Sequence, residues 1–163
     1  MKIAVIDVGF NSLKMVKYKV EPDGTSKSYG QLGVLAKLGY RFDVVVTSPI
    51  RRAKETANLI GEAINAKTRV EEWAELSPEG SRSAFYRRLS GIRPGSKVLC
   101  VGHEPYLTIV MGEIAGRGEE DSGGFRISLK KGGLAKLLVM GFNPEITGEL
   151  RWLLTPKQIR RMA

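Results

Sequence analysis

The chain of 163 residues holds one histidine, His103, and one cysteine, Cys100, and these two set the first limits on its chemistry. A lone imidazole excludes any mechanism in which two histidines of this chain act together. With one cysteine it also excludes a Cys/His zinc cage and an internal disulfide framework. What remains is chemistry built on one imidazole, arginines and carboxylates. Three short segments gather such groups: Asp7-Val8-Gly9; Thr47-Ser48-Pro49 with Arg51 and Arg52 behind it; and Gly102-His103-Glu104-Pro105. Each follows an apolar run of strand type. Ser48 is suited to be a helix N-cap and Pro49 to be the first helical residue. The free N–H groups of such a terminus favour an anion, and Arg52 lies one turn in, where it can bend back toward the strand ends. An arginine, a helix N-terminus and a histidine converging on one sheet edge would make a phosphate site. Position alone leaves a second reading equally open, with Arg51 and Arg52 as surface charges and His103 as a satisfied turn residue. Cys100 lies inside the apolar run Val98-Leu99-Cys100-Val101 and reads as an inert core thiol.

The elements that must position these groups are readable around them. Residues 2–8 (KIAVIDV) and 97–101 (KVLCV) have the continuous apolar character of buried strands, and 43–46 is a short β-branched strand. Residues 13–20 alternate apolar and basic, so strand 2–8, a Gly/Asn turn and this second strand predict an N-terminal β-hairpin. Loop chemistry fills 21–30, and a short helix is expected over 31–38. After Pro49 the apolar residues Ile50, Ala53, Ala57, Ile60 and Ile64 step by three and four, the spacing of one helical face. Residues 69–73 read as a strand and 81–89 as a helix with Phe85 and Leu89 inward. Pro105 opens a helix through 115, and 116–124 is an acidic, Gly-rich loop. Three later strands are expected at 125–129, 134–140 and 149–153, with a basic tail helix from Pro156. Strands alternating with helices give an α/β fold: a single domain over 1–163 with a mostly parallel sheet and flanking helices. In such sheets ligands gather beyond the carboxyl ends of the strands, where all three chemical segments fall.

Composition agrees with one globular domain: 42% of residues are hydrophobic, 26% are charged, and the net charge is +9. The excess basic charge is spread over small groups without interleaved aromatic residues, so it supports phosphate-bearing partners rather than nucleic acid. No apolar run approaches the ~20 residues of a membrane span. The apolar stretch near the N-terminus is too short for a signal-peptide core, so the expected location is cytoplasmic. No cofactor and no metal site is expected.

The segment Thr47-Ser48-Pro49-Ile50-Arg51-Arg52-Ala53-Lys54-Glu55-Thr56-Ala57 resembles the Ser-Pro-x-x-Arg-Ala-x-x-Thr-Ala motif of the histidine phosphatase superfamily, and Val101-Gly102-His103-Glu104-Pro105 is similar to its second-histidine segment. Leu129-Lys130-Lys131-Gly132-Gly133-Leu134-Ala135 and Leu150-Arg151-Trp152-Leu153-Leu154-Thr155-Pro156 narrow the resemblance to the SixA-type phosphohistidine phosphatases, over residues 32–163. The resemblance implies a phosphoglycerate-mutase-like architecture and dephosphorylation of a phosphorylated protein or a small phosphate-bearing substrate. It implies that Arg52 is an arginine clamp on the phosphoryl group, that His103 is the second histidine, and that Ser48 and its helix terminus supply further donors. Glu104 is a candidate proton-transfer residue, with a surface role as its alternative.

In that family the first strand ends in Arg-His-Gly, whose histidine attacks phosphorus. Alignment of the first strand puts Asp7 on that arginine and Val8 on that histidine. Val8 cannot attack phosphorus, Asp7 brings negative charge to where a dianion binds, and no other histidine exists to compensate. Loss of a nucleophile costs on the order of 10⁶ in rate, or about 8 kcal/mol of barrier. Ile6-Asp7-Val8-Gly9-Phe10-Asn11-Ser12, with the alternating strand and Pro22-Asp23-Gly24, instead resembles the opening of the Ppx/GppA exopolyphosphatases. Residues 1–31 thus read as an atypical N-terminal segment joined to a SixA-like domain near residues 29–32. Three functions follow: a SixA-like phosphatase of very low turnover, a non-catalytic phosphate-binding or regulatory protein, and a metal-assisted phosphatase using Asp7.

Overall fold

The computed structural model describes residues 1–7, 18–20, 26–28, 41–64, 70–116 and 127–162, with the backbone alone for those within 2–28 and for 63–64. Its centre is β6 (Lys97–Gly102), whose residues from Val98 onward are all buried. On one side β6 pairs in parallel with β4 (Val44–Thr47), which pairs in parallel with β5 (Val70–Glu72). On the other it pairs in parallel with β1 (Lys2–Asp7), which is followed by antiparallel β7 (Leu134–Gly141) and β8 (Thr147–Leu154). The sheet order is therefore β5-β4-β6-β1-β7-β8. Continuous Val/Leu/Cys runs suit the middle of this sheet because both of its faces are covered.

Successive side chains point to opposite faces, and the sequence divides accordingly. Val46, Val98 and Cys100 face one core with Trp73, Phe85, Leu89, Leu107, Met111 and Ile114, drawn largely from α2 (Arg82–Ser90) and α3 (Tyr106–Ala115). Val45, Leu99 and Val101 face the other core with Ala53, Ala57 and Ile60 of α1 (Arg51–Ile64) and Ile159 of α4 (Pro156–Met162). The three- and four-residue steps predicted for α1 are those of its buried stripe, Ala53, Ala57 and Ile60 being at most 1% exposed. Each isoleucine or leucine buried this way contributes about 1.5–3 kcal/mol. Cys100 lies in the first core, where burial pushes its thiol well above the ordinary range, so it stays protonated and unreactive.

Three expectations need correction or restriction. The hairpin expected between 2–8 and 13–20 is not formed by their described residues, 2–7 and 18–20: both sides of β1 are occupied, by β6 and β7. The two-stranded pairing near the N-terminus joins β2 (Tyr18–Val20) to β3 (Ser26–Ser28) instead. The strand expected at 125–129 is not formed at 127–129, which run without regular structure, and 125–126 lie outside the described residues. The Leu129 N–H donates to the Thr108 hydroxyl at 3.4 Å rather than to a neighbouring strand. The helix expected at 31–38, the loop at 117–124 and the junction near 29–32 also lie outside the described residues.

The loop expected over 21–30 contains the strand β3, paired with β2; the remaining described boundaries moved by at most two residues, as helix and strand ends do. The β7–β8 register slips twice, and at one slip Lys136 faces Trp152 while Leu137 faces Leu150, leaving Arg151 as an extra residue in β8. No helix among the described residues is long and apolar enough to cross a membrane.

Candidate functional site

Helices α1 and α3 follow adjacent strands, β4 and β6, yet pack on opposite faces of the sheet. The chain therefore parts at the carboxyl ends of those two strands, the place where α/β sheets open a crevice. Thr47 ends β4 and Gly102 ends β6, and Ser48 is tied across by its N–H donating to the Val101 carbonyl at 2.9 Å. Ser48 and His103 are thus delivered side by side. Arg52, one turn into α1, bends back toward them as its position predicted.

The three side chains form one hydrogen-bonded set. His103 is 2% exposed. Its Nδ1 is 3.3 Å from Arg52 Nε and 3.2 Å from Arg52 Nη2, and its Nε2 is 2.9 Å from Ser48 Oγ. An arginine can only donate, so Nδ1 carries the lone pair and the imidazole proton is on Nε2. That proton is donated to Ser48 Oγ, which also accepts the Ile50 N–H at 3.3 Å. With both lone pairs used, the Ser48 hydroxyl keeps its own proton as a donor. Burial, and after it the Arg52 charge, pushes the His103 pKa down to about 4, so the imidazole is neutral at pH 7. The set holds a guanidinium, a serine donor and a neutral imidazole, which together favour an oxyanion over a cation.

Glu104 is occupied elsewhere. Its Oε1 accepts the Thr108 N–H at 3.2 Å, closing the first turn of α3, whose preceding residue Pro105 has no side chain to offer. Burial raises the Glu104 pKa above its ordinary value, partly offset by that hydrogen bond. Arg51, the other half of the arginine pair, is turned to solvent and bridges to Glu55 at 2.7 Å on its own helix.

Asp7 ends β1 directly opposite Gly102 in the parallel β1–β6 register. The next residue on one strand is Val8 and on the other His103. Val8 lies outside the described residues, and β1 is described by its backbone alone. Among the described residues no three His, Cys, Asp or Glu side chains are grouped to hold a metal.

Sequence reasoning brought Ser48, Arg52 and His103 to one place but missed the direct Arg52–His103 contact. The signal for it was available: with no second imidazole in the chain, the guanidinium is the strong donor nearest the Nδ1 lone pair. The cluster of Arg82, Tyr86 and Glu113 was also missed. Its only trace in sequence is the Arg82–Tyr86 spacing of four on one face of α2.

Comparison with known proteins points the same way. A model of the histidine phosphatase superfamily (branch 1) matches residues 29–78, the stretch that holds Ser48 and Arg52. An uncharacterized protein of Picosynechococcus sp. is 33% identical over 105 residues, a match that spans 63% of this chain and 61% of that protein's length. The protein histidine phosphatase SixA, solved with tungstate, overlays with a TM-score of 0.68 at 17% identity, covering 96% of this chain and 98% of that one. A SixA structure from Nakamurella multipartitia overlays with a TM-score of 0.60 at 17% identity, covering 95% of each chain. Identity this low makes the likeness one of fold. The chain carries a histidine phosphatase superfamily match in residues 29–78, set in a mixed α/β fold of the histidine phosphatase and phosphoglycerate mutase type.

Proposed function

We propose that Arg52, Ser48 and His103 hold the phosphoryl group of a phosphohistidine-bearing protein or a smaller phosphate ester, and that the chain turns this substrate over very slowly. The observation that carries the reading is the contact of Arg52 with His103 beside the start of α1, at the parting of β4 and β6. A relative of the same fold, SixA, was solved with tungstate, an oxyanion of similar shape and charge. An incoming phosphoryl group would take the guanidinium from Nδ1 and accept a hydrogen bond from the Ser48 hydroxyl. Release of Nδ1 leaves His103 beside a dianion, which favours its protonated form and a second donated hydrogen bond.

Slow turnover follows from the end of β1. The in-register pairing of Asp7 with Gly102 makes position 8 the sequence neighbour of the β1 end, just as 103 is of the β6 end. By the resemblance to the SixA type, the attacking histidine falls at position 8, and the valine there has no nucleophile. The opening segment keeps its Ppx/GppA-like character in this reading, as a replacement for the strand that carries Arg-His-Gly in the SixA type.

Binding and catalysis are separable in one experiment. Calorimetric titration with inorganic phosphate should show saturable binding that weakens at least tenfold in Arg52→Ala, as expected for a lost charge-assisted pair. Equal affinity in that variant removes this site. Hydrolysis of p-nitrophenyl phosphate should be near background in the natural chain and should rise in Asp7→Arg combined with Val8→His. A folded double variant that stays inactive refutes the alignment of Val8 with the nucleophile. One feature favours a binding protein as the second reading: both nitrogens of His103 are already engaged, leaving a well-satisfied pocket that can release and recapture an anion without chemistry.

A further inference from the structure

At the other end of the sheet lies a second concave site. A cleft of about 510 Å³ opens between α2, the last turn of α3 and the connection from β7 to β8. Lys2, at the start of β1, pairs with Leu138, so this connection lies beyond the amino-terminal end of β1. His103 lies past the carboxyl ends, roughly 17 Å away along five strand residues. The two sites are thus independent in space.

The cleft is polar on its helical side and mostly apolar, apart from Glu145, on the side of the β7–β8 connection. Glu113 lines it, accepting Arg82 Nε at 2.9 Å with Oε1 and the Tyr86 hydroxyl with Oε2. That network neutralises the Glu113 carboxylate, spends the Tyr86 proton and fixes Arg82. Arg87 and Ser90 line the same wall from α2. The Arg87 guanidinium has no hydrogen-bond or ion-pair partner among the described residues. Opposite stand Phe142, Pro144 and Ile146. The lining contains two arginines against two carboxylates, Glu113 and Glu145, so a dianion is not matched here. A singly charged group meets Arg87 without displacing the Glu113 network.

We infer that this cleft binds a small monocarboxylate carried on an aromatic or branched aliphatic body, with the carboxylate on Arg87 and the body against Phe142, Pro144 and Ile146; the Ser90 hydroxyl is held by the Arg87 carbonyl at 2.8 Å and takes no part. Pockets that combine an apolar wall with a few placed polar groups are the usual form of small-molecule sites. The volume exceeds the lower limit of such pockets, about 300 Å³. Nothing in this inference depends on the phosphate site.

The probe is phenylacetate, followed by ¹H–¹⁵N NMR that includes the arginine Nε–H signals. Saturable shifts are expected at Arg87, Ser90 and residues 142–146, with a dissociation constant on the order of millimolar for so small a ligand. Arg87→Ala, a change at an exposed side chain, should weaken binding about tenfold. Benzyl alcohol, which keeps the ring and lacks the charge, should bind about tenfold more weakly too. Arg52→Ala should leave phenylacetate binding unchanged. The inference is overturned by non-saturating shifts up to tens of millimolar, by equal affinity in Arg87→Ala, or by shifts confined to the Ser48–Arg52–His103 end.

Discussion

Acidification gives the most direct test of the His103 set, because the chain has one imidazole and its signal needs no assignment. In the unfolded chain this histidine titrates near 6.5, and in the folded one at about 4. The folded pKa is the lower of the two, so between them the unfolded state binds more protons and stability falls as pH falls. The contribution is fully present above about pH 6.5 and is lost progressively down to about pH 4. From pH 7 to pH 5 the linkage removes about 2 kcal/mol, with about 1 kcal/mol more lost by pH 4. A protein of this size commonly has 5–15 kcal/mol in all, roughly, so the loss is easily read in urea unfolding. Carboxylates titrate over part of the same range, and His103→Gln removes their share from the comparison. The natural chain should lose about 2 kcal/mol more than His103→Gln between pH 7 and pH 5. Independently, the imidazole Cε1–H carbon signal should titrate well below 6.5. A midpoint at or above 6.5, or an equal loss in both proteins, would refute the buried, Arg52-capped imidazole.

Two further outcomes test the frame around that imidazole. Ser48→Ala takes away the acceptor of both the His103 Nε2–H and the Ile50 N–H, which should cost about 1–3 kcal/mol in urea unfolding; a neutral result would mean another group accepts those protons. Gly148→Ala should cost about 1–3 kcal/mol, because a Cβ there would lie 2.3 Å from the Leu138 carbonyl oxygen and 2.8 Å from Ile114 Cγ2. For a chain of this length that is a drop in melting temperature of about 3–10 °C, and an unchanged melting curve would contradict the β7–β8 register.

The parallel centre of the fold was legible in sequence wherever a strand is buried on both faces. Residues 98–101 and 44–46 are continuous apolar runs behind one charged residue each, Lys97 and Asp43, and no other element type of that length suits them. The α1 stripe was legible because 3.6-residue periodicity survives burial of one face only. What misled was alternation: the apolar-basic pattern of 13–20 predicts a strand but does not name its neighbour. Pairing is decided by which sheet edge is free, and β1 has none to give. The candidate site was legible as three strand ends but not as a hydrogen-bonded set. Spacing brings Ser48, Arg52 and His103 to one edge, whereas the imidazole tautomer depends on where the guanidinium points, which is settled by packing. The Arg82–Tyr86–Glu113 network joins residues 27 and 31 apart in sequence, and no local pattern announces a contact of that kind.

The slip in β8 has a consequence for how the molecule meets others of its kind. β8 is the terminal strand of the six-stranded sheet, eight residues long, with apolar Leu150, Trp152, Leu153 and Leu154 only partly buried. A strand with that content is a template on which a foreign strand can grow, the first step toward fibrils. The extra residue Arg151 breaks the hydrogen-bond ladder in the middle of it and increases the local twist. Arg151 is also charged, and with Glu149, 3.0 Å away, it holds an ion pair on the strand that an added chain would have to desolvate. The irregularity that spoils the β7–β8 register is thereby a guard against polymerisation, placed where a straight strand would be most exposed to it.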